Sequence, residues 1–266
     1  MTVTEDPAAA GRALFEAGAA VAGSMSRNAA MLVYPDPAGR AGVRLEDRLA
    51  RCLRTAADEA AEVAAPRERA RAGAVLAFAV EHGVAVARSG RPVRADGFFA
   101  PRTGGRSAAD TVTEAVVAAA RGSHDERRIR HLGYLLAEVT SSPDLDAALV
   151  DRALTLAAGL PWRHLVLLAG VGRRDRSPLP MTPLAEDPRG WAAWGAREDV
   201  ADLQRAGLLD PPPALPRPGG AALPRLRPAD LRLTRRGVLV HRLLALDFVR
   251  EDDVHAALAD LELPPA

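Results

Sequence analysis

The sequence predicts a mostly α-helical protein, with a multi-helix bundle over residues 1–172 followed by a smaller α+β domain over residues 173–266. Apolar side chains recur every three or four residues through most of the first range, which is the spacing of amphipathic helices. Residues 173–190 are rich in proline and polar side chains, which indicates a domain boundary or a surface excursion. Farther on, residues 231–234 alternate apolar and polar side chains, which is typical of a strand.

Three helices are predicted before residue 90. Residues 7–33 are rich in alanine, which favours a helix. The second helix, over residues 45–63, carries a single apolar stripe that includes Cys52. Pro66 suits the first position of the third helix, which runs to about Val86. Because this third helix is apolar on most sides, we expect it at the centre of the bundle.

Capping patterns mark the starts of further helices. Ser107 with Asp110 three residues later forms an acidic version of the capping box, and Ser123 with Glu126 repeats the spacing. Residues 144–159 and a short helix opened by Pro161 complete the bundle. The helix after Ser123 is predicted to bury a stripe of four side chains, Ile129, Leu132, Leu136 and Val139.

The composition limits the compartment and the partners. All 35 basic residues are arginine and the net charge is +1, so no global field draws the protein to nucleic acid or anionic lipid. The single cysteine excludes an intrachain disulfide and a thiolate metal cage. The N-terminus lacks the layout of a signal peptide, and the most apolar stretches contain charged residues. We therefore expect a cytoplasmic protein that does not interact with a membrane.

A distinct motif lies near the C-terminus. A helix ends in the pattern Leu-x-x-Ala-Gly-Leu-Leu, and a predicted hairpin then leads into Leu-Thr-x-x-Gly at the start of another helix. The residues are Leu203, Ala206, Gly207, Leu208, Leu209, Leu233, Thr234 and Gly237. Gly207 can adopt the left-handed turn that ends a helix, and Thr234 can cap the next one. This arrangement is similar to the end of many bacterial winged-helix domains, which implies a C-terminal winged-helix-like α+β segment with proline-rich insertions.

The middle of the chain resembles a second group of proteins. Residues 126–136 contain Arg-Ile-x-x-Leu-x-x-Leu-Leu, and residues 96–99 and 160–165 flank this helix. The layout is similar to that of uncharacterised bacterial helical proteins of the abortive-infection alpha kind, in which such a charged helix precedes a winged helix. The resemblance implies an association with phage defence or stress, and it brings no catalytic residue with it.

No set of residues in the sequence predicts a catalytic, cofactor or metal site. His124, His131 and Glu138 lie seven residues apart and share a helix face, but neighbours at this spacing stand about 10 Å apart, too far to converge on one ion. Cys52 is expected to be a small buried hydrophobic residue. Residues 104–107 precede a helix and lack the lysine of a phosphate-binding loop, although a helix N-terminus can hold an anion.

Arginines in the C-terminal segment form a candidate DNA contact. Residues 197–236 contain eight arginines and five acidic residues, a local charge of 8 − 5 = +3. The arginines expected to touch DNA under this hypothesis are Arg225, Arg227, Arg232, Arg235 and Arg236. Against it, Glu198, Asp199 and Asp202 lie on the helix that would enter the major groove, where they would repel phosphates.

The leading hypothesis is a non-enzymatic helical interaction or regulatory protein, linked to phage defence or stress by the resemblance alone. The alternative is a winged-helix transcriptional regulator that binds DNA, and an enzyme with a dispersed site is left open. We expect a protein partner or a homo-oligomer, the latter formed through the Gly- and Ala-rich N-terminal helix. Nucleic acid is the partner under the alternative.

Overall fold

The computed structural model describes residues 66–100, 105–184, 190–212 and 226–261. Several predictions lie outside these ranges: the two helices before residue 66, Cys52, self-association through the N-terminal helix, and Arg225. Within the described ranges the chain is mostly helical, which confirms the predicted fold class at that level.

Eight α-helices and one two-stranded sheet lie in the described ranges. The helices are α1 (Pro66–Arg88), α2 (Ala108–Arg121), α3 (Glu126–Thr140), α4 (Ala147–Gly159), α5 (Trp162–Gly172), α6 (Trp191–Arg205), α7 (Arg235–Leu243) and α8 (Glu251–Ala259). The strands β1 (Leu209–Asp210) and β2 (Arg232–Leu233) pair antiparallel, with Leu209 opposite Leu233. Single 3-10 turns at Pro228–Asp230 and Leu246–Phe248 precede β2 and α8.

The chain divides into two compact units, Met1–Ala158 and Gly159–Ala266. The boundary predicted at residue 173 therefore falls within the second unit. Helix α5 packs against α7, α8 and β2, and residues 164–171 are all buried, so this helix belongs to the core of the second unit. The described part of the proline-rich stretch after α5 is attached to the same unit, since Leu184 is buried and its N–H donates to the Leu226 carbonyl.

Helices α1 and α3 approach each other closely at Gly133 in the first unit. A Cβ atom on Gly133 would lie 2.5 Å from the Val75 carbonyl oxygen and 2.9 Å from the Ala79 nitrogen. Helix α1 also contacts α2, in agreement with the central position expected for it. The predicted stripe of α3 is buried, as is every residue from His131 to Thr140.

The helix starts agree with the sequence in one case and differ in another. The predicted capping box opens α2, since Ser107 accepts the Asp110 N–H and the Asp110 carboxylate accepts the Ser107 N–H. At α3 the prediction is wrong: Asp125 is the N-cap and accepts the Arg127 N–H at 2.9 Å. The Ser123 hydroxyl instead donates to the Asp125 carbonyl. A carboxylate at this position gains from the helix dipole as well as from the hydrogen bond.

Taken singly, α1 is the one helix of the described residues that is long and apolar enough to cross a membrane, over Ala70–Arg88. The core helix of a soluble protein has the same length and composition. Helix α1 packs against α2 and α3, and its buried His82 is held by Glu138 of α3. This packing is consistent with a soluble protein, and the cytoplasmic location stays a prediction.

The C-terminal motif forms the turns and caps that its residues predict. Gly207 has a φ of 66° after the end of α6. Thr234 accepts the Gly237 N–H at 3.0 Å and donates to the Gly207 carbonyl at 2.7 Å. A Cβ atom on Gly237 would overlap the Leu208 carbonyl oxygen, so the start of α7 lies directly on the chain that leads into β1. These contacts bring α6, β1, β2 and the start of α7 together in the second unit.

Candidate interaction surface on the second unit

Of the arginines predicted to contact DNA, the structure describes four, and three of these four donate hydrogen bonds within the chain. Arg227 donates to the Asp230 carboxylate at 3.0 Å. Arg232 donates to the carbonyls of Ala229 and Leu231, both at 2.7 Å. Arg236 donates to the Ala206 carbonyl at 3.0 Å and so closes the C-terminal end of α6. Arg235 is exposed at the first residue of α7.

Three acidic side chains lie in the second half of α6. Glu198 and Asp202 both accept from Arg205, and the hydrogen bond from Arg205 to Asp202 holds the pKa of the guanidinium above its ordinary value. Asp199 forms an ion pair with Arg163 at 2.8 Å and lies 3.1 Å from His164 Nε2. The helix predicted to repel phosphates therefore has three carboxylates, two of them spaced along its exposed side.

Two tryptophans form an exposed aromatic pair at the start of α6. Trp191 is 86% exposed and Trp194 is 48% exposed. Their rings meet edge to face, with centroids 5.9 Å apart. No motif in the sequence points to either residue; the one hint is that two of the chain's three tryptophans fall within four residues of each other.

The helix that carries this aromatic pair is fixed to the core on its other side. Ala196, Val200 and Leu203 are at most 1% exposed. Arg163 of α5 bridges Asp199 of α6 and Asp260, which follows α8, the latter at 3.0 Å. The aromatic pair is therefore displayed on a helix with a defined position in the second unit.

Polar side chains are also concentrated in the interior of the first unit. Glu138 of α3 lies 2.9 Å from His82 Nε2 and 2.8 Å from Arg91. The His82 ring stacks on Tyr134 with centroids 4.4 Å apart, and His131 meets Tyr134 edge to face. Burial raises the pKa of Glu138, but the hydrogen bonds from His82 and Arg91 outweigh it, so that pKa lies below its ordinary value.

This buried cluster is built to hold helices together. His131 and Glu138 are buried in it, whereas His124, the first member of the seven-residue series in the sequence, is exposed. In the part of the chain that the structure describes, no group of three His, Cys, Asp or Glu side chains is placed to hold a metal ion. Glu138 is instead neutralised by protein groups, which is how a buried carboxylate is stabilised in a core.

Compared with models of known protein families, with curated proteins and with solved structures, the chain has no significant match. The candidate site is therefore defined by its own geometry: an exposed aromatic pair on a fixed helix, followed by carboxylates on the same helix.

Proposed function

We propose that the chain is a non-enzymatic interaction protein that binds a protein partner through Trp191 and Trp194. The observation that carries the proposal is the exposure of these two side chains. Aromatic residues make up only 4% of the chain, yet two of its three tryptophans are directed to solvent at one place. Leaving a tryptophan exposed forgoes about 1.5–3 kcal/mol of burial free energy, which a partner can recover by covering the ring.

The chemistry of the pair is that of a binding hot spot. Tryptophan is one of the three residue types enriched among the side chains that dominate protein interfaces. It gives a large, rigid contact area, and its N–H can donate to a partner. Because α6 is anchored by its buried face, little conformational entropy would be lost at this surface when a partner binds.

The experiment that tests this function starts from the full chain, used to isolate partners from its native cytoplasm. A partner identified in this way is then purified and titrated against the chain. The double variant Trp191→Ala/Trp194→Ala is expected to weaken binding by at least about tenfold, the usual effect of removing a hot-spot aromatic residue. The matched control is Phe248→Ala, which removes a 59% exposed aromatic side chain elsewhere in the second unit.

Two results would contradict the proposal. One is an affinity that the double variant leaves unchanged while Phe248→Ala reduces it. The other is turnover of a nucleotide or another small substrate by the purified chain, lost on substitution of a single residue, since that would make the protein an enzyme.

The biological setting that we propose is phage defence or stress, supported by the resemblance of residues 126–136 to abortive-infection alpha proteins. Cells that express the chain are expected to reduce phage plating, and the double tryptophan variant is expected to abolish that protection. Equal plating with and without the chain, over a panel of phages, would remove this setting and leave the interaction function in place.

DNA binding by a winged-helix segment is a second candidate function. It is favoured by the exposure of Arg232 on β2 and Arg235 at the start of α7, beside the two-stranded sheet. It predicts duplex binding that weakens with salt and with Arg225→Ala or Arg232→Ala. We favour a protein partner because Glu198 and Asp202 lie on the exposed side of α6, and we expect no duplex binding at low salt.

A further inference from the structure

The exposed aromatic pair continues into a negatively charged side chain on the same face of α6. Trp191, Trp194 and Glu198 follow one another at steps of three and four residues, which places them on one side of a helix. The buried residues Ala196, Val200 and Leu203 lie on the opposite side. Trp191 and Trp194 are exposed and Glu198 is half-buried, and we call these three residues the aromatic–acidic row.

Helix α7 presents an exposed row of complementary character. Arg235, Val238 and Arg242 are all exposed, and Val238 is 51% exposed. They too follow at steps of three and four residues, so they share one face of α7. The buried side of α7 consists of Gly237, Val240, His241 and Leu243. The sequence of α7 contains no acidic residue. We call Arg235, Val238 and Arg242 the basic–apolar row.

We propose that the aromatic–acidic row of one copy of the chain docks on the basic–apolar row of a second copy. With the two helices parallel, the equal spacing places Trp191 opposite Arg235, Trp194 opposite Val238, and Glu198 opposite Arg242. This inference rests on the proposed function, because it names the occupant of the tryptophan surface.

Each of the three pairs is favourable by its own chemistry. An arginine guanidinium is attracted to the face of a tryptophan ring, and tryptophan is the strongest aromatic partner for a cation. Val238 and Trp194 remove apolar surface from water when they meet. Glu198 and Arg242 carry opposite charges. The first and last residues of each row are seven steps apart, a rise of about 10 Å, so the three pairs form together without bending either helix.

The internal bonds of α6 are compatible with this docking. Arg205 contacts Glu198 at 3.5 Å, which is the limit of a hydrogen bond, and its shorter contact is to Asp202. Glu198 can therefore accept from Arg242 of a second copy while Arg205 stays on Asp202. Nucleic acid and anionic lipid are poorer occupants of this row, because their phosphates would face Glu198 and Asp202.

A contact between α6 of one copy and α7 of another is heterologous, because it joins two different surfaces. An open assembly keeps one unused row of each kind, one at each of its two ends, and can therefore bind further copies. The mass of the full chain in sedimentation velocity is therefore expected to rise with concentration over a range of about 1–100 µM, in which weak protein complexes form.

Mixing two blocked variants tests the heterologous geometry directly. Trp191→Ala/Trp194→Ala blocks the first row, and Arg235→Glu/Arg242→Glu blocks the second. Each variant alone is expected to self-associate at least about tenfold more weakly than the unaltered chain. The mixture is expected to form a complex of two chains and nothing larger, since one intact row of each kind remains. The controls Phe248→Ala and Arg250→Ala, at exposed positions outside both rows, are expected to associate as the unaltered chain does.

A charge exchange separates lost contact from lost folding. Glu198→Arg and Arg242→Glu are each expected to weaken association, and the chain that carries both substitutions is expected to recover it. Recovery in the double variant supports the pairing of Glu198 with Arg242, and two additive losses overturn it.

The outcomes distinguish this inference from the proposed function. A chain that is monomeric at every concentration, or a mixture that does not form the two-chain complex, overturns self-docking. If self-docking is overturned in this way but the Trp191→Ala/Trp194→Ala variant no longer binds a different purified protein, the proposed interaction function stands and the tryptophan surface has another occupant. If the double tryptophan variant changes neither self-association nor partner binding, both proposals are overturned.

Discussion

At Gly237 the fold leaves no room for a side chain. Its Cβ would overlap the Leu208 carbonyl oxygen, and Leu208 is itself fully buried. The same carbonyl accepts the Thr234 N–H at 3.1 Å, so it cannot turn away without losing a bond. Gly237→Ala is therefore expected to lower the free energy of unfolding of the second unit by about 1–3 kcal/mol, the cost of overpacking. Urea unfolding measures this change.

Gly195 gives the matched control for this substitution. It lies inside α6, and a Cβ atom there would meet nothing within 4 Å among the described residues. Gly195→Ala should raise the free energy of unfolding by about 0.5–1 kcal/mol, because alanine loses less backbone entropy in a helix. Equal effects of the two alanines would show that the Leu208 contact does not matter.

The caps of the C-terminal motif were predictable residue by residue because a cap is local. Thr234 bonds to a residue three positions later, and Gly207 needs only its own backbone angle. The steric demand at Gly237 was not predictable in this way. It depends on Leu208, which is distant in sequence and comes close only when β1 and β2 pair.

At the scale of helices, the approach of α1 and α3 depends on Gly133. An added Cβ would be too close to the Val75 carbonyl oxygen and to the Ala79 nitrogen, which are backbone atoms and cannot rotate aside. Gly133→Ala is therefore expected to push the two helices apart and to cost about 1–3 kcal/mol of unfolding free energy. Hydrogen exchange should show faster exchange of the amides in α1 and α3.

Gly83→Ala is the control within α1. Its Cβ would lie 3.9 Å from the Ala137 Cβ, which is an ordinary contact. This alanine should be neutral or stabilising because it favours the helix. Slower exchange with Gly83→Ala and faster exchange with Gly133→Ala are the expected pair of results, and the reverse pair would contradict the close packing at Gly133.

The position of a helix in the sequence was easier to predict than the unit to which the helix belongs. The apolar spacing and the Ser107 capping box placed α2 correctly, since both depend on neighbours in sequence. The assignment of α5 to the second unit depends on its contacts with α7 and α8, which no local pattern contains. The exposure of Trp191 and Trp194 was not predictable for the same reason, because it depends on which side chains the rest of the chain leaves uncovered.

On the scale of the whole molecule, acid should destabilise the second unit first. His241 is buried, and its Nε2 has no hydrogen-bond partner among the described residues. Burial lowers the pKa of His241 below its ordinary 6.5, against the attraction of Asp247 and with the repulsion of Arg173 and Arg176. A lowered pKa means that the unfolded state binds the proton first. The contribution of the neutral His241 ring to the free energy of unfolding is therefore complete above pH 6.5, and it is lost as the pH falls through the pKa of the folded state.

The variant His241→Gln tests this prediction through the slope of stability against pH. The free energy of unfolding of the second unit should fall less steeply below pH 6.5 in the variant than in the unaltered chain, whatever its absolute value. His255→Gln, at an exposed position on α8, is the matched control and should leave the slope unchanged. An unchanged slope with His241→Gln would contradict the prediction.

The first unit should respond to acid in a lower pH range. Its buried Glu138 has a pKa below the ordinary 4.5, since the bonds from His82 and Arg91 outweigh the effect of burial. The contribution of the ionised Glu138 carboxylate to the free energy of unfolding is therefore complete above pH 4.5, and it is lost only as the pH falls through the pKa of the folded state. Hydrogen exchange at stepped pH should show the amides of α5 and α7 losing protection before those of α1 and α3.

The variant Glu138→Gln tests this order. It should remove the low-pH step in α1 and α3 and lower the stability at pH 7, because His82 and Arg91 lose a charged partner. Glu114→Gln, exposed on α2, should change neither step. Simultaneous loss of protection in all four helices would show that the two groups do not control the units separately.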